Sequence, residues 1–428
     1  MLPLSLYLVS FILCFEGKAW YRRAWYVPML VLVLGGMSYG FIADITVWVA
    51  IALYCGGLFT ACMVCHGELA RLKPHSRYLT IFYVMVAIGG ALGGGFVAVV
   101  APQLFSGDYD LAVGMTATAV LVVAVLYYDP ACRLHRVRGK MPWLALMGLT
   151  TALASTLAYG AYQLISHSRL MARNFYGTLR ISDAGEGEDL RRTLVHGTII
   201  HGEQYLAIDR RRWPTTYFGE NTGLGMAILA GRSDSPQRIG VIGLGAGTLA
   251  AYGRPKDYYR FYEINPLVIQ LAHSEFTFLS DCPATVETVL GDARLSLEQE
   301  LPQNFDVLVV DAFSGDSVPI HLLTREAFAM YFRHLKPSGI LAVHVSNSYL
   351  ELAPIVKLAA DYYSKEARLV DSDEDEEKDA FTATWVLVSG RLGVFKARVF
   401  DETADEIKPK ATVRLWTDDY SSIYRILY

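Results

Sequence analysis

Cysteine is scarce where it would matter for a secreted fold. Of six cysteines, only Cys282 lies beyond residue 166, so the second part of the chain has no disulfide framework. Cys62-Met-Val-Cys65 has redox-motif spacing but sits in an apolar stretch, where small residues pack helices. Basic charge is not in excess either: 38 Lys and Arg face 42 Asp and Glu, a net charge of −4, which argues against a nucleic-acid partner. Residues 1–16 lack a basic opening and a small-residue cleavage site, so they read as a membrane span and not as a signal peptide.

Charge is also nearly absent from six long apolar segments, near 1–16, 26–43, 46–65, 78–102, 111–128 and 143–165, each long enough to span or nearly span a bilayer. The Gly89–Gly95 run in the fourth suits close helix approach and is no phosphate loop, since no strand precedes it. Basic residues crowd the first, third and fifth loops (Lys18, Arg22, Arg23; Arg71, Lys73, Arg77; Arg133, Arg136, Arg138, Lys140), and none lies in the second or fourth. The positive-inside rule puts the basic loops in the cytoplasm. Six spans would then deliver the rest of the chain to the outer face, whereas a nucleotide-like cofactor favours the cytoplasm; the side stays open. Glu16, His66 and Glu68 at span ends are weighed as transport residues against a capping or snorkelling role, which is the commoner one.

The second part is organised around Arg238-Ile-Gly-Val-Ile-Gly-Leu-Gly-Ala-Gly-Thr248. Ile239 to Ile242 reads as a buried parallel strand, Gly243 to Gly247 as a sharp turn that brings backbone against a ligand, and Thr248 onward as a helix. Tyr258 to Glu263 reads as a second strand ending in an acid, placed to accept ribose hydroxyls. Val286–Leu290 leads to Asp292 and Ala293, Phe305–Val310 to Asp311, and Gly339–Val345 forms a fifth strand after a helix at Leu322–Leu335. Alternating strands and helices mean a parallel sheet covered on both faces, with ligands at the carboxyl ends of its strands. The glycines, Glu263, Asp292 and Asp311 all fall at such ends. Short alternating stretches between Arg169 and Asp209 predict a small antiparallel subdomain, Thr222–Ala230 a helix, and Asp371–Glu377 a solvated acidic loop.

Gly243-Leu-Gly-Ala-Gly247, Glu263-Ile-Asn, Gly291-Asp-Ala293 and Asp306–Asp311 together resemble the spermidine synthase family over roughly residues 170–400. Cys65-His-Gly-Glu-Leu69, His196-Gly-Thr and Pro214-Thr-Thr-Tyr217 look like its bacterial membrane-fused branch. The resemblance implies a multi-pass α-helical membrane domain at 1–166, a small β-rich subdomain and lead-in helix at 167–235, and a Rossmann-like domain of the class I S-adenosylmethionine-dependent methyltransferase type at 236–428. It further implies that Gly243, Gly245, Gly247, Glu263, Asp292, Ala293 and Gln204 bind the cofactor, and that Asp311, Asp316 and Tyr217 serve catalysis. No metal is implied.

Two departures stand out. Ala246 replaces the acid that the family carries in its glycine loop, and Asp316 lies two residues beyond the family's second acid. Both count against a decarboxylated cofactor and a diamine. The expected activity is that of a transferase in the inner membrane of a bacterium. It would move an aminopropyl group from S-adenosylmethionine, or its decarboxylated form, to a small amine, releasing methylthioadenosine. Cyclising cleavage of the sulfonium without an acceptor, and methyl transfer, are the alternatives in the same site. A transporter or sensor that only binds an adenosyl or polyamine ligand is the alternative of another class. Association into a homo-oligomer is left open.

Overall fold

The computed structural model describes every residue except 1, 18–19, 44, 137–138, 313–318, 376–379, 392, 398, 401–402, 411 and 428. Among the described residues the chain divides into two compact units, Met1–Ser168 and Arg169–Tyr428.

The first unit is helical: α1 (Leu2–Glu16), α2 (Arg23–Tyr39), α3 (Val47–Arg71), α4 (Leu79–Gly95, continued by a π-turn to Leu104), α5 (Asp110–Tyr128) and α6 (Met141–Ser166). Among the described residues, four stretches are long and apolar enough to cross a membrane: Val47–Arg71, Ser76–Leu104, Asp110–Tyr128 and Met141–Ser166. Among the other helices, α1 is short for a span at 15 residues. Leu30, Leu34, Met37, Val64, Met115, Val122, Leu126 and Leu157 form the inner seam.

One ionic cluster ties the helix ends together. Arg23, opening α2, donates to both oxygens of Glu68 near the end of α3 (2.8 and 2.5 Å) and to Asp129 after α5 (2.6 Å). Tyr21 also donates to Glu68 (2.6 Å) and Arg71 to Asp129 (3.4 Å). The helix ends that border the first, third and fifth loops therefore meet at one end of the bundle. Glu68, weighed in sequence as a transport residue or a capping or snorkelling one, is instead an ion-pair partner, in a place where an uncompensated charge would be costly.

The second unit opens with β1 (Leu170–Asn174), β2 (Gly177–Ala184), β3 (Arg191–His196) and β4 (Ile199–Tyr205), an antiparallel sheet in sequence order. Next come α7 (Gly223–Ala230), β5 (Arg238–Ile242), β6 (Tyr258–Glu263), α8 (Pro266–Ser274), β7 (Thr285–Leu290), α9 (Ala293–Gln299), β8 (Phe305–Val310) and α10 (Arg325–His334). The unit continues with β9 (Leu335–His344), α11 (Ala353–Tyr362), β10 (Glu366–Ser372), β11 (Ala383–Ser389) and β12 (Ala404–Asp405). The large sheet runs β12-β10-β11-β9-β8-β5-β6-β7. Its β7, β6, β5, β8 and β9 are parallel, and β11 enters antiparallel between β9 and β10. This is the doubly wound sheet of a class I methyltransferase-like domain preceded by a small β-subdomain, as the sequence predicts.

Three local expectations are corrected. Thr248–Tyr252 makes only a short 3-10 stretch, because Gly253 and Pro255 follow it. The helix after β8 begins at Arg325, where the Thr324 hydroxyl accepts the Ala327 N–H at the N-cap, and not at Leu322. Asp371 and Ser372 finish strand β10, because Ser372 pairs with Ala383; the acidic loop starts only after them.

The ionic cluster yields a prediction. Arg23→Ala takes the main partner from Glu68 and Asp129, leaving Tyr21 and Arg71 to compensate in part, and should cost about 1.5–3 kcal/mol. Unfolding of the full chain in detergent should show this, and replacing Arg23 and Glu68 together by Met and Leu should recover much of it. A single Arg23→Ala variant as stable as the parent would make the cluster energetically idle.

Candidate functional site

The sheet order reverses between β5 and β8, which leaves a crevice at their carboxyl ends. Gly243 follows β5 with φ +100°, and a Cβ there would lie 2.3 Å from the Asp311 carbonyl oxygen at the end of β8. Gly245 follows with φ +55°, and a Cβ there would lie 2.3 Å from the His201 carbonyl oxygen of β4. That same carbonyl accepts the Ala246 N–H at 3.1 Å. The glycine turn is thus clamped between the two sheets. Only glycine meets both the positive φ and the close approach.

The cleft over this turn has a volume of about 230 Å³. Gly243, Gly245, Glu263, Asp292, Ala293 and Asp311 line it, all six being residues expected from the sequence. Glu263, at the end of β6, is pinned by two backbone donors: Asn265 N–H to one oxygen (2.8 Å) and Leu244 N–H to the other (3.1 Å). Burial pushes its pKa up, and the backbone donors from Asn265, Leu244 and Ile264 only partly oppose this. Asp292 accepts Leu295 N–H at 3.0 Å as the cap of α9, and its other oxygen lies 3.0 Å from His321 Nε2.

Gln204 and Gly247 are not brought to the cleft. The Gln204 amide accepts from Thr277 N–H (2.9 Å) and donates to the Arg211 carbonyl (2.8 Å) and the Thr277 hydroxyl (3.0 Å), docking β4 on the loop after α8. Gly247 faces Leu279. Ala246 is buried and does not line the cleft; a Cβ on Gly202 of β4 would come within 2.6 Å of its methyl. Asp316 lies outside the described residues.

A second cavity, of about 440 Å³, shares His201 with the first and is lined also by Thr198, Ile200, Tyr217, His344, Ser346 and Asn347 among others. Asp311 links the two. It accepts from the Tyr217 hydroxyl, and its Oδ1 lies 2.8 Å from His344 Nδ1. His344 lies between two rings: Tyr217 (centroids 4.6 Å, 24°) and Trp385 (4.6 Å, 17°). Burial drives the Tyr217 hydroxyl well above its ordinary pKa, reinforced by the Asp311 charge, so it stays a donor. Burial pushes His201 down to about 4 against the pull of Asp311, so its ring is neutral at physiological pH. Its Nε2 is buried without a hydrogen-bond partner among the described residues.

His201 and His344 were missed by the sequence reading. His344 ends a parallel strand, the same signal that identified Asp311. His201 carried no such mark.

No protein-family model matches this chain. A polyamine aminopropyltransferase of Vibrio vulnificus is 35% identical over 119 residues, covering 27% of this chain and 38% of that protein. A probable polyamine aminopropyl transferase of Bifidobacterium longum is 27% identical over 158 residues, covering 36% of this chain and 33% of that protein. The chain spans little more than a third of the length of these curated relatives. Among solved structures, a probable spermidine synthase of Corynebacterium glutamicum is similar with TM-score 0.40 and 17% identity, covering 51% of this chain and 79% of that one.

Topology and cleft define a class I methyltransferase-like domain in the second unit. Within that class, the curated relatives that the domain resembles in sequence are polyamine aminopropyltransferases, matched over about a third of their length.

The clamp at Gly245 is testable. Gly245→Ala forces a side chain into a left-handed conformation and against the His201 carbonyl. The backbone conformation alone should cost about 1–3 kcal/mol, read as a fall of several degrees in the midpoint of thermal unfolding. An unchanged midpoint would mean that the turn is not held against β4.

Proposed function

We propose that the second unit binds a decarboxylated adenosyl sulfonium and transfers its aminopropyl group to an amine, releasing methylthioadenosine, on a chain anchored in a bacterial inner membrane by its helical unit. The observation that carries this reading is the charge of the cleft. Glu263, Asp292 and Asp311 line it, and no Lys or Arg does among the described residues. A sulfonium is a cation and suits such a site, whereas the α-carboxylate of unmodified S-adenosylmethionine would meet three carboxylates and no Lys or Arg among the described lining residues, His201 being held neutral by burial. This outweighs the expectation drawn from Ala246, whose methyl packs on β4.

Glu263 is fixed so that its remaining lone pairs can accept the ribose hydroxyls. Asp292, at the far side, is available to the adenine amino group through the oxygen that His321 approaches. Asp311 stands between the cleft and the second cavity, where its charge stabilises cationic groups on either side. The second cavity offers room for an acceptor, which supports transfer over cyclisation of the sulfonium on itself. A diamine and a monoamine both remain acceptors of the right chemistry.

Loss of a charge-assisted hydrogen bond costs roughly 1.5–3 kcal/mol, so Glu263→Gln should weaken methylthioadenosine binding at least about tenfold by calorimetry. Binding needs the carboxylate form, and burial raises the pKa of Glu263. Affinity in the parent should therefore begin to fall, as pH is lowered, above the ordinary carboxylate range; His201 stays neutral there, and Glu263→Gln should flatten the dependence. A parent profile as flat as that of the variant would remove Glu263 from the ribose.

Asp311→Asn keeps the shape and removes the charge. It should reduce turnover by about a hundredfold or more while leaving methylthioadenosine affinity within a few-fold. The decarboxylated cofactor should also bind at least about tenfold more tightly than S-adenosylmethionine, which has an unpaired carboxylate to bury. Equal affinities would sink the reading of the cleft's charge.

A further inference from the structure

The hydrogen bonds around His344 have a direction. Asp311, as a carboxylate, can only accept, so His344 Nδ1, 2.8 Å from Oδ1, carries a hydrogen. On the other side His344 Nε2 lies 2.8 Å from Ser346 Oγ. Ser346 Oγ itself accepts the Thr384 N–H at 2.8 Å, which leaves its hydroxyl hydrogen to point at Nε2. The neutral chain thus reads Thr384 N–H to Ser346, Ser346 O–H to His344 Nε2, and His344 Nδ1–H to Asp311. In this tautomer the free basicity of the site is at Nε2, on the Ser346 side. Ser346 and His344 both line the second cavity, and Ser346 is half-buried there.

We propose that Ser346, His344 and Asp311 form a proton relay serving a nucleophile bound in the second cavity, with His344 Nε2 as the proton acceptor and the Ser346 hydroxyl as the shuttle. The inference rests on the transfer reading above. It gives Asp311 a different part from that of base: it sets the tautomer of His344 and pairs with the imidazolium that forms.

The step balances. The acceptor nitrogen bonds to the propyl carbon as the bond from that carbon to sulfur breaks, and the sulfonium leaves as neutral methylthioadenosine. The new ammonium gives a proton to Ser346 Oγ while the serine hydroxyl hydrogen moves to Nε2. The charge lost at sulfur reappears on the imidazolium and is discharged through the cavity. The groups facing His344 suit this cycle. Asp311 is its counter-charge, Tyr217 and Trp385 offer ring faces to a cation on both sides, Ser346 is neutral, and His201 is uncharged at neutral pH and does not repel it.

The test uses purified full-length protein given the decarboxylated cofactor and a panel of primary amines. Methylthioadenosine release is measured, with methylthioadenosine affinity determined in parallel. His344→Gln should lose about a hundredfold or more in turnover and Ser346→Ala about tenfold or more, both with affinity within about threefold of the parent. Added imidazole should restore turnover to His344→Ala in proportion to its concentration, which a packing role would not produce. Should the His344 variants fail to fold, Ser346→Ala decides the matter alone. A parent that releases methylthioadenosine with an amine, beside His344→Gln and Ser346→Ala variants of equal rate, overturns the relay and leaves the transfer reading standing. A parent that releases none with any amine overturns the transfer reading, and the relay with it.

Discussion

A single backbone hydrogen bond, from Ala246 N–H to the His201 carbonyl at 3.1 Å, fixes the site. It joins the glycine turn of the large sheet to the last strand of the small one. It sets the wall that the two cavities share: the turn fixes Gly243 and Gly245 under the cleft, and β4 carries His201 to the wall between the cavities. The tight glycine contacts on both sides leave no slack, since a methyl at either position would strike a carbonyl oxygen. Gln204, Arg192 and Asn174 reinforce the docking, through Thr277, the Glu275 carbonyl and Asn265 respectively. The small subdomain is thus a wall of the site.

Electrostatics sorts the residues within that frame. Three carboxylates follow the carboxyl ends of β6, β7 and β8, and each is managed differently. Glu263 is buried and held by backbone donors, Asp292 caps a helix and meets His321, and Asp311 receives Tyr217 and His344. Buried carboxylates without cationic partners are costly unless they are hydrogen-bonded. Here hydrogen bonds offset part of that cost, and a cationic ligand would offset more of it. The helical unit solves its own problem in the opposite way, pairing Arg23 directly with Glu68 and Asp129.

Much of the large sheet and the acids at its strand ends was legible in sequence, because a parallel strand buried on both faces is a continuous apolar run and its carboxyl end is where ligands lie. The small sheet was less legible. Its strands alternate, and a register shift between Thr193 and Val195 along β3 and β4 breaks the simple count of faces. A shift of one residue exchanges inside for outside. Gln204 was expected at the ligand from the family resemblance, which carries no information on this register, whereas His201 is the residue that reaches the cavities.

The sequence by itself determined the apolar helices, the alternating strands, the glycine turn and the presence of Glu263, Asp292 and Asp311 at strand ends, since each follows from local periodicity, steric need or spacing. Tertiary structure alone decided which of these residues meet. Asp311 and His344 are 33 positions apart and touch because β8 and β9 are neighbours. Tyr217 and Trp385 close on His344 from elements on either side of it in sequence. Hydrogen-bond direction, and with it the nitrogen that can take a proton, exists only once those partners are in place.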